Sequence, residues 1–260
     1  MGEAGFGRRT AASLLTSYNL QPPRGRLLYG RRRGRTLRLG QKNLISGLLP
    51  RLAVDIPASG HIDPGTLFRP TRQATWLEIG FGGGEHLAIQ AEVHPEIGFI
   101  GCEVFENGIV KLLAQIERRH LANIRIFADD ARLLIAALQS VSIDGVFILF
   151  PDPWPKRRHH KRRIVSREVV DRLAEVMTDN AELRLATDDY DYLCWMLERV
   201  TVHRAFEWQA RRPGDWRQRT EDWPPTRYEE KARAAGRSPV FLRLRRRPRI
   251  SAAQPKDLAG

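Results

Sequence analysis

The chain has 260 residues, and 43 Lys plus Arg against 30 Asp plus Glu leave a net charge of +13. With 42% hydrophobic residues and only two cysteines, it can fill a core, and a disordered chain, a disulfide scaffold and a Cys-based zinc site are excluded. The cationic surplus predicts a polyanionic partner, since phosphates release counterions to a basic face; a membrane surface also suits it, but no run approaches the ~20 apolar residues of a span.

Residues 1–23 are punctuated by Gly, Ser and Pro, contain no apolar signal-peptide region with a cleavage site, and read as a flexible start. Residues 24–73 read as a basic extension. Arg24, Arg26, Arg31, Arg32, Arg33, Arg35 and Arg38 crowd its first part with no acid among them, which a solvated tail explains as well as a binding segment does. Up to Gln73 the chain reads as loop-rich, with Pro50, Pro57, Pro64 and Pro70 spaced through it. From Ala74 short apolar runs alternate with amphipathic stretches of 10–15 residues, the pattern of βαβ units on a parallel sheet. The strand candidates are 75–79, 99–104, 124–128, 144–150 and 182–187, with a last one at 240–244; the helix candidates are 85–93, 106–120, 131–138, 165–177 and 190–200. Ile109, Val110, Leu112, Leu113 and Ile116 form a 3.6-period stripe in the second helix. The domain is taken as 74–247, the residues after Leu244 as fraying, and 248–260 as a basic tail. The two cysteines, far apart in apolar contexts, point to a reducing cytoplasm.

Gly80-Phe81-Gly82-Gly83-Gly84 follows the first strand and opens the first helix. Such a turn lets a ligand approach the backbone and meet free N–H groups at the helix start. Glu103, about 20 residues on at the end of the second strand, is where a carboxylate can accept both ribose hydroxyls of an adenosine. NAD and S-adenosylmethionine both fit this arrangement. Glu78, at the carboxyl end of the first strand, favours a cationic sulfonium or ammonium and would repel a pyrophosphate. Asp130 stands either against the adenine amino group or as the N-cap of helix 131–138.

The fourth strand runs into Phe150-Pro151-Asp152-Pro153-Trp154-Pro155. Three prolines in five residues freeze a loop at the carboxyl end of a central strand, where ligands bind in open α/β sheets. The loop resembles the Asp-Pro-Pro-aromatic loop of methyltransferases acting on nucleobase nitrogens, and Trp154 is either a stacking platform or core. Lys156-Arg-Arg-His-His-Lys-Arg-Arg163 follows at once. Beside a reacting centre, Arg158, His159, His160, Lys161, Arg162 and Arg163 read as phosphate contacts, against the alternative of a solvated face. The two histidines have no acid or cysteine partner at metal-ligand spacing, so no metal is expected.

LEIGFGGGEHL, the GCEV strand end, NIRIFADDA, FPDPWPKRRHHKRR, LATDDYDYL and TRYEEKA together resemble the tRNA (guanine-N7-)-methyltransferase family from about Leu28 to Leu244. The resemblance implies a class I, Rossmann-like α/β methyltransferase with a mostly parallel central sheet and helices on both faces. It implies methyl transfer from S-adenosylmethionine to guanine N7 in the tRNA variable loop, position 46, leaving S-adenosylhomocysteine. By motif match Glu78, Gly80, Gly82, Glu103, Asp130 and Asp152 line the donor site, with Asp152 also the catalytic candidate. Lys156, Asp188, Thr226, Arg227, Tyr228 and Glu229 contact the tRNA. Asp189 and Tyr190 depart from the family's aromatic–acid order, and TRYEEKARAAGRSP is longer and more basic than usual; both bear on substrate contacts. A monomer or homodimer in the cytoplasm with no obligate protein partner is expected. The rival readings are a non-enzymatic basic RNA-binding protein and an N-methyltransferase acting on DNA or protein.

Overall fold

The computed structural model describes residues 32–249; residues 1–23, expected to be a flexible start, Arg24, Arg26, Arg31 and the residues from 250 lie outside them. Five parallel strands come first. They are β1 (Ala74–Ile79), β2 (Ile97–Cys102), β3 (Ile124–Phe127), β4 (Ile143–Leu149) and β5 (Met177–Thr187). With β6 (Phe206–Trp208) and β7 (Val240–Arg246) they form one sheet in the order β3-β2-β1-β4-β5-β7-β6. Only β7 runs against its neighbours, pairing antiparallel with both β5 and β6.

Period-two alternation on β4 decides how the sheet is covered. Val146 and Ile148 face one buried cluster, and Phe147 and Leu149 face the other. Helices α5 (Ala131–Ala137), α6 (Arg167–Val176) and α7 (Tyr190–Val200) close the first cluster, while α3 (Glu85–Val93) and α4 (Glu106–Arg119) close the second. The three helices on the first cluster start where the sequence supplies a side-chain cap. Asp130, Ser166 and Asp189 accept from Arg132, Val169 and Tyr192 backbone N–H groups at the starts of α5, α6 and α7. His120 takes the left-handed conformation that ends α4, at φ 54°.

The stretch before Gln73 is more ordered than its prolines predict. Residues Leu39–Gly47 form α1 and Leu49–Leu52 form α2, with Ile45, Leu49 and Leu52 buried in the second cluster. Beyond them Val54 N–H donates to Ile126 O at 2.9 Å, so this segment covers the exposed edge of β3. Residues 245–249 are likewise held and do not fray: Arg246 and Arg249 both pair with Asp179, at 3.1 and 2.5 Å. Two short helices complete the chain, α8 (Gly214–Arg217) and α9 (Arg227–Ala234).

Candidate active site

Strand order reverses between β1 and β4, and the carboxyl ends of these two strands carry the two loops singled out from the sequence. After β1, Gly80, Gly82 and Gly84 all take positive φ, at 74°, 57° and 73°, so the turn requires residues without a Cβ. Gly80 N–H donates to Cys102 O at 2.8 Å, which ties the turn to the end of β2. The next residue is Glu103. One carboxylate oxygen accepts from Gly82 N–H at 2.8 Å, the other from Val104 and Phe105 N–H at 2.8 and 2.9 Å. Burial nevertheless wins over these three donors and lifts the carboxyl above its ordinary value, with the nearby Asp152 charge adding to the rise.

After β4, Phe150 and Trp154 sit at φ 50° and 47°, strained for residues with a Cβ. Between them Asp152 remains in contact with solvent, yet partial loss of hydration raises its carboxyl. Trp154 is half-buried. The Arg162 guanidinium lies 4.8 Å over its ring and His159 meets it edge-on at 5.9 Å. The two loops enclose a cavity of about 460 Å³ lined by Gly80, Gly82, Glu103, Asp130, Asp152, Trp154 and Arg162, joined by Arg227 and Tyr228 from the start of α9. Nine residues from distant parts of the chain thus meet in one place. Gly108, Lys111 and Asp129 also line it and were not singled out from the sequence. The signal for Gly108 was present, a glycine inside a strongly periodic helix.

Several expected site residues stand elsewhere. Glu78 is 3% exposed, is absent from the cavity lining, and bonds His86 Nδ1 at 2.7 Å. A strand side chain one residue off the carboxyl tip points into the packing against α3 and not toward the loop. Asp130 combines both of its readings, since it lines the cavity and caps α5 while pairing with Arg132 at 3.1 Å. Thr226 caps α9, and Glu229, 5% exposed, pairs with Arg219 at 3.3 Å and Arg233 at 3.0 Å. Both hold the helix that presents Arg227 and Tyr228. Asp188 pairs with Arg237 at 2.6 Å, outside the cavity lining.

The basic run forms a 3-10 helix over Arg157–Arg162, entered from the exposed Lys156. Arg158 and Lys161 are exposed. His159 is kept below the usual histidine value, by lost hydration first and then by the repulsion of Arg162, Arg158, Lys156 and Lys161. His160 packs edge-on to Trp195 at 5.4 Å, 3.7 Å from Asp191. Arg163 corrects the sequence reading. It is 1% exposed and turned inward, so phosphate cannot reach it. The basic segment before α1 also reaches this side of the molecule: Arg32 pairs with Asp129 at 2.9 Å, and Asn107 in α4 exchanges bonds with Gly34 and Arg35.

Residues 72–242 match a family described as "Putative methyltransferase". A Rhodospirillum rubrum protein named tRNA (guanine-N(7)-)-methyltransferase is 48% identical over 243 residues, 92% of this chain and 94% of the relative. A Paramagnetospirillum magneticum protein of the same name is 48% identical over 223 residues, covering 85% and 93%. The chain belongs to the tRNA (guanine-N7-)-methyltransferase family. The solved 16S rRNA methyltransferase KamB superposes with a TM-score of 0.50 at 14% identity, over 69% of this chain and 91% of that one. That likeness concerns the fold alone, and it agrees with the class I methyltransferase architecture expected from the sequence. Among the described residues no group of three or more His, Cys, Asp or Glu is placed to hold a metal, and no helix is long and apolar enough to cross a membrane.

Proposed function

We propose that this chain transfers a methyl group from S-adenosylmethionine to N7 of a guanine in the variable loop of tRNA, position 46, and releases S-adenosylhomocysteine. The observation that carries this reading is the meeting of Glu103 and Asp152, from either side of the β1 glycine turn, in one cavity bordered by Arg162 and Arg227. The donor set suits a cationic nucleoside: Glu103 is held by backbone N–H groups, and its charge is available to ribose hydroxyls. Gly80 and Gly82 leave room for the amino-acid portion, and Asp130 faces the adenine beside its capping bond. Bound there, S-adenosylmethionine supplies an electrophilic methyl on a sulfonium.

Guanine N7 offers a lone pair and carries no proton. The N7–methyl bond forms as the sulfur–methyl bond breaks, positive charge passes to the base, and no general base is required. Alignment therefore supplies most of the rate. Asp152 orients the base and balances the charge arriving on it, and Trp154 and Tyr228 offer faces to a splayed-out nucleotide. Lys156, Arg158, His159, Lys161, Arg162 and Arg227 meet the phosphates. In this reading Thr226 and Glu229 act by holding α9, and the enzyme works in the cytoplasm as a monomer or homodimer without an obligate protein partner.

Incubation of the protein with tRNA and methyl-labelled S-adenosylmethionine, followed by mass spectrometry of the nucleosides, tests the reading. Labelled 7-methylguanosine at one variable-loop position is expected. Donor binding with label found only in DNA or protein substrates would overturn the tRNA assignment, and absence of donor binding would leave a non-enzymatic RNA-binding protein.

A further inference from the structure

We infer that Arg163 is a positioning residue that holds the Asp152 loop from behind, through the carbonyl of Pro153. Arg163 ends a run that contains six cations, yet its side chain is 1% exposed. Its Nε donates to Pro153 O at 2.8 Å, and Pro153 is the residue directly after Asp152. Its Nη2 donates to Asp191, in the first turn of α7. The guanidinium also lies 4.9 Å over the Tyr192 ring and 5.0 Å over the Trp195 ring, both on α7. The remaining nitrogen, Nη1, is buried without a partner. One planar group thus links a helix at the edge of the site to one carbonyl of the loop.

The loop needs such a link. Phe150 and Trp154 hold left-handed backbone conformations on either side of Asp152, and such conformations persist only where surrounding structure over-determines them. Pro153 has no N–H, so its carbonyl is its sole backbone handle. An arginine can donate several bonds along its edge and stack through its face at once; a lysine offers a single point of charge. The strong donation from Arg163 holds the Asp191 carboxyl below its ordinary value, as a fixed ion pair requires.

The kinetic readout rests on the proposed methyl transfer; the loop readout does not. Three variants are compared with the wild type: Arg163→Met, Arg163→Lys and Asp191→Asn. Asp191 is exposed, so its variant keeps the fold if Arg163→Met does not. Single-turnover rate at saturating tRNA and donor should fall about 10²-fold in Arg163→Met, the cost of a displaced reacting group. Arg163→Lys should recover little of that loss, and Asp191→Asn should lose less than either. Hydrogen exchange at the Asp152, Trp154 and Lys156 amides should speed up in all three. The slope of log affinity for tRNA against log salt should not change. A lysine variant with full rate, or a slope reduced by about 0.7–0.9 on losing Arg163, would make it a phosphate contact and overturn the inference. A lowered Tm with unchanged rate and loop exchange would make it packing only. A wild type that exchanges as expected but methylates no tRNA would refute the function and leave the positioning role standing.

Discussion

Two carboxylates in one cavity, both raised by burial, carry different expectations. Glu103 sits above its ordinary value of 4.5 because burial outweighs its backbone donors. A folded-state value above the unfolded one stabilises the fold fully below the unfolded value, and that stability is lost as pH rises through the folded value. In the proposed donor site affinity runs the other way, because ribose hydroxyls would donate to the charged form. Affinity for S-adenosylmethionine should fall on acidification, at a higher pH than an ordinary glutamate would give. Glu103→Gln should lose charge-assisted hydrogen bonds of roughly 1.5–3 kcal/mol, a weakening of about 10- to 150-fold, and its acid limb should become shallower. Calorimetry showing undiminished affinity in the folded variant would remove Glu103 from the donor site. Asp152 is expected to act through charge and not through a proton. Asp152→Asn should slow single turnover roughly 10²-fold, the scale of removing one preorganised electrostatic contact. The rate that remains should be nearly flat from about pH 6 to 9, since guanine N7 carries no proton and the variant has no carboxyl at 152 to titrate. A solvent deuterium isotope effect on the wild-type single-turnover rate that is missing in the variant would show that a proton is moved after all.

At the level of elements, α4 leaves no room for a Cβ between Gly108 and the glycine turn. A Cβ on Gly108 would stand 2.2 Å from Gly82 O, a backbone atom that cannot swing aside. Gly108→Ala gains about 1 kcal/mol of helix propensity but forces the helix off the turn, at an overpacking cost of about 1–3 kcal/mol. The clash should win. Urea unfolding should show a lower midpoint, and donor affinity should fall as the Gly82–Glu103 bond opens; a stabilised variant with normal affinity would mean the turn yields freely. Elements of this kind were legible in the sequence to different degrees. The strands β1 to β4 are legible because each is a buried apolar run, with β2 read two residues late; of β5 only 182–187 is legible, because Asp179 and Asn180 near its start are polar and exposed, and α3 and α7 are legible to the residue. Helix α1 was missed because Arg38 offers no side-chain cap and Gly40, Gly47 and Pro50 all read as breakers. Helix α9 was read as a motif only, although Thr226-x-x-Glu229 is an N-terminal signature. Strand β6, three residues long, has too few positions to show a period. The cavity carboxylates Glu103, Asp130 and Asp152 were legible because loop chemistry follows strand ends. Glu78 and Arg163 were not, since a strand register and one inward turn of a 3-10 helix decide where they point, and neither leaves a trace in composition.

On the scale of the whole molecule, the net charge of +13 reaches tRNA only where cations are exposed and stand together. Much of the arginine is spent inside the fold. Arg184 lies 5% exposed between Glu182 and Asp222, Arg246 and Arg249 fasten the end of the chain to Asp179, and Arg163 is enclosed. The face left for a polyanion combines the 3-10 helix after the Asp152 loop with the basic segment docked against α4 and the start of α9. Arg158 and Lys161 are among its exposed members, together with Lys156, Arg157 and Arg227. Replacing Arg158 and Lys161 with Gln should weaken binding of every tRNA to a similar extent, because phosphates carry no sequence. Each lost phosphate contact should flatten the dependence of log affinity on log salt by about 0.7–0.9, so the double variant should lose about 1.4–1.8 from the slope. Donor affinity should not move, since neither side chain lines the cavity. Filter binding across 50–300 mM salt, on the order of the range where counterion release dominates, reads the slope directly. An unchanged slope with lost affinity would mean these two cations fold the loop and do not face the RNA, which would shift the phosphate-binding face to the segment around Arg32, Arg33 and Arg35.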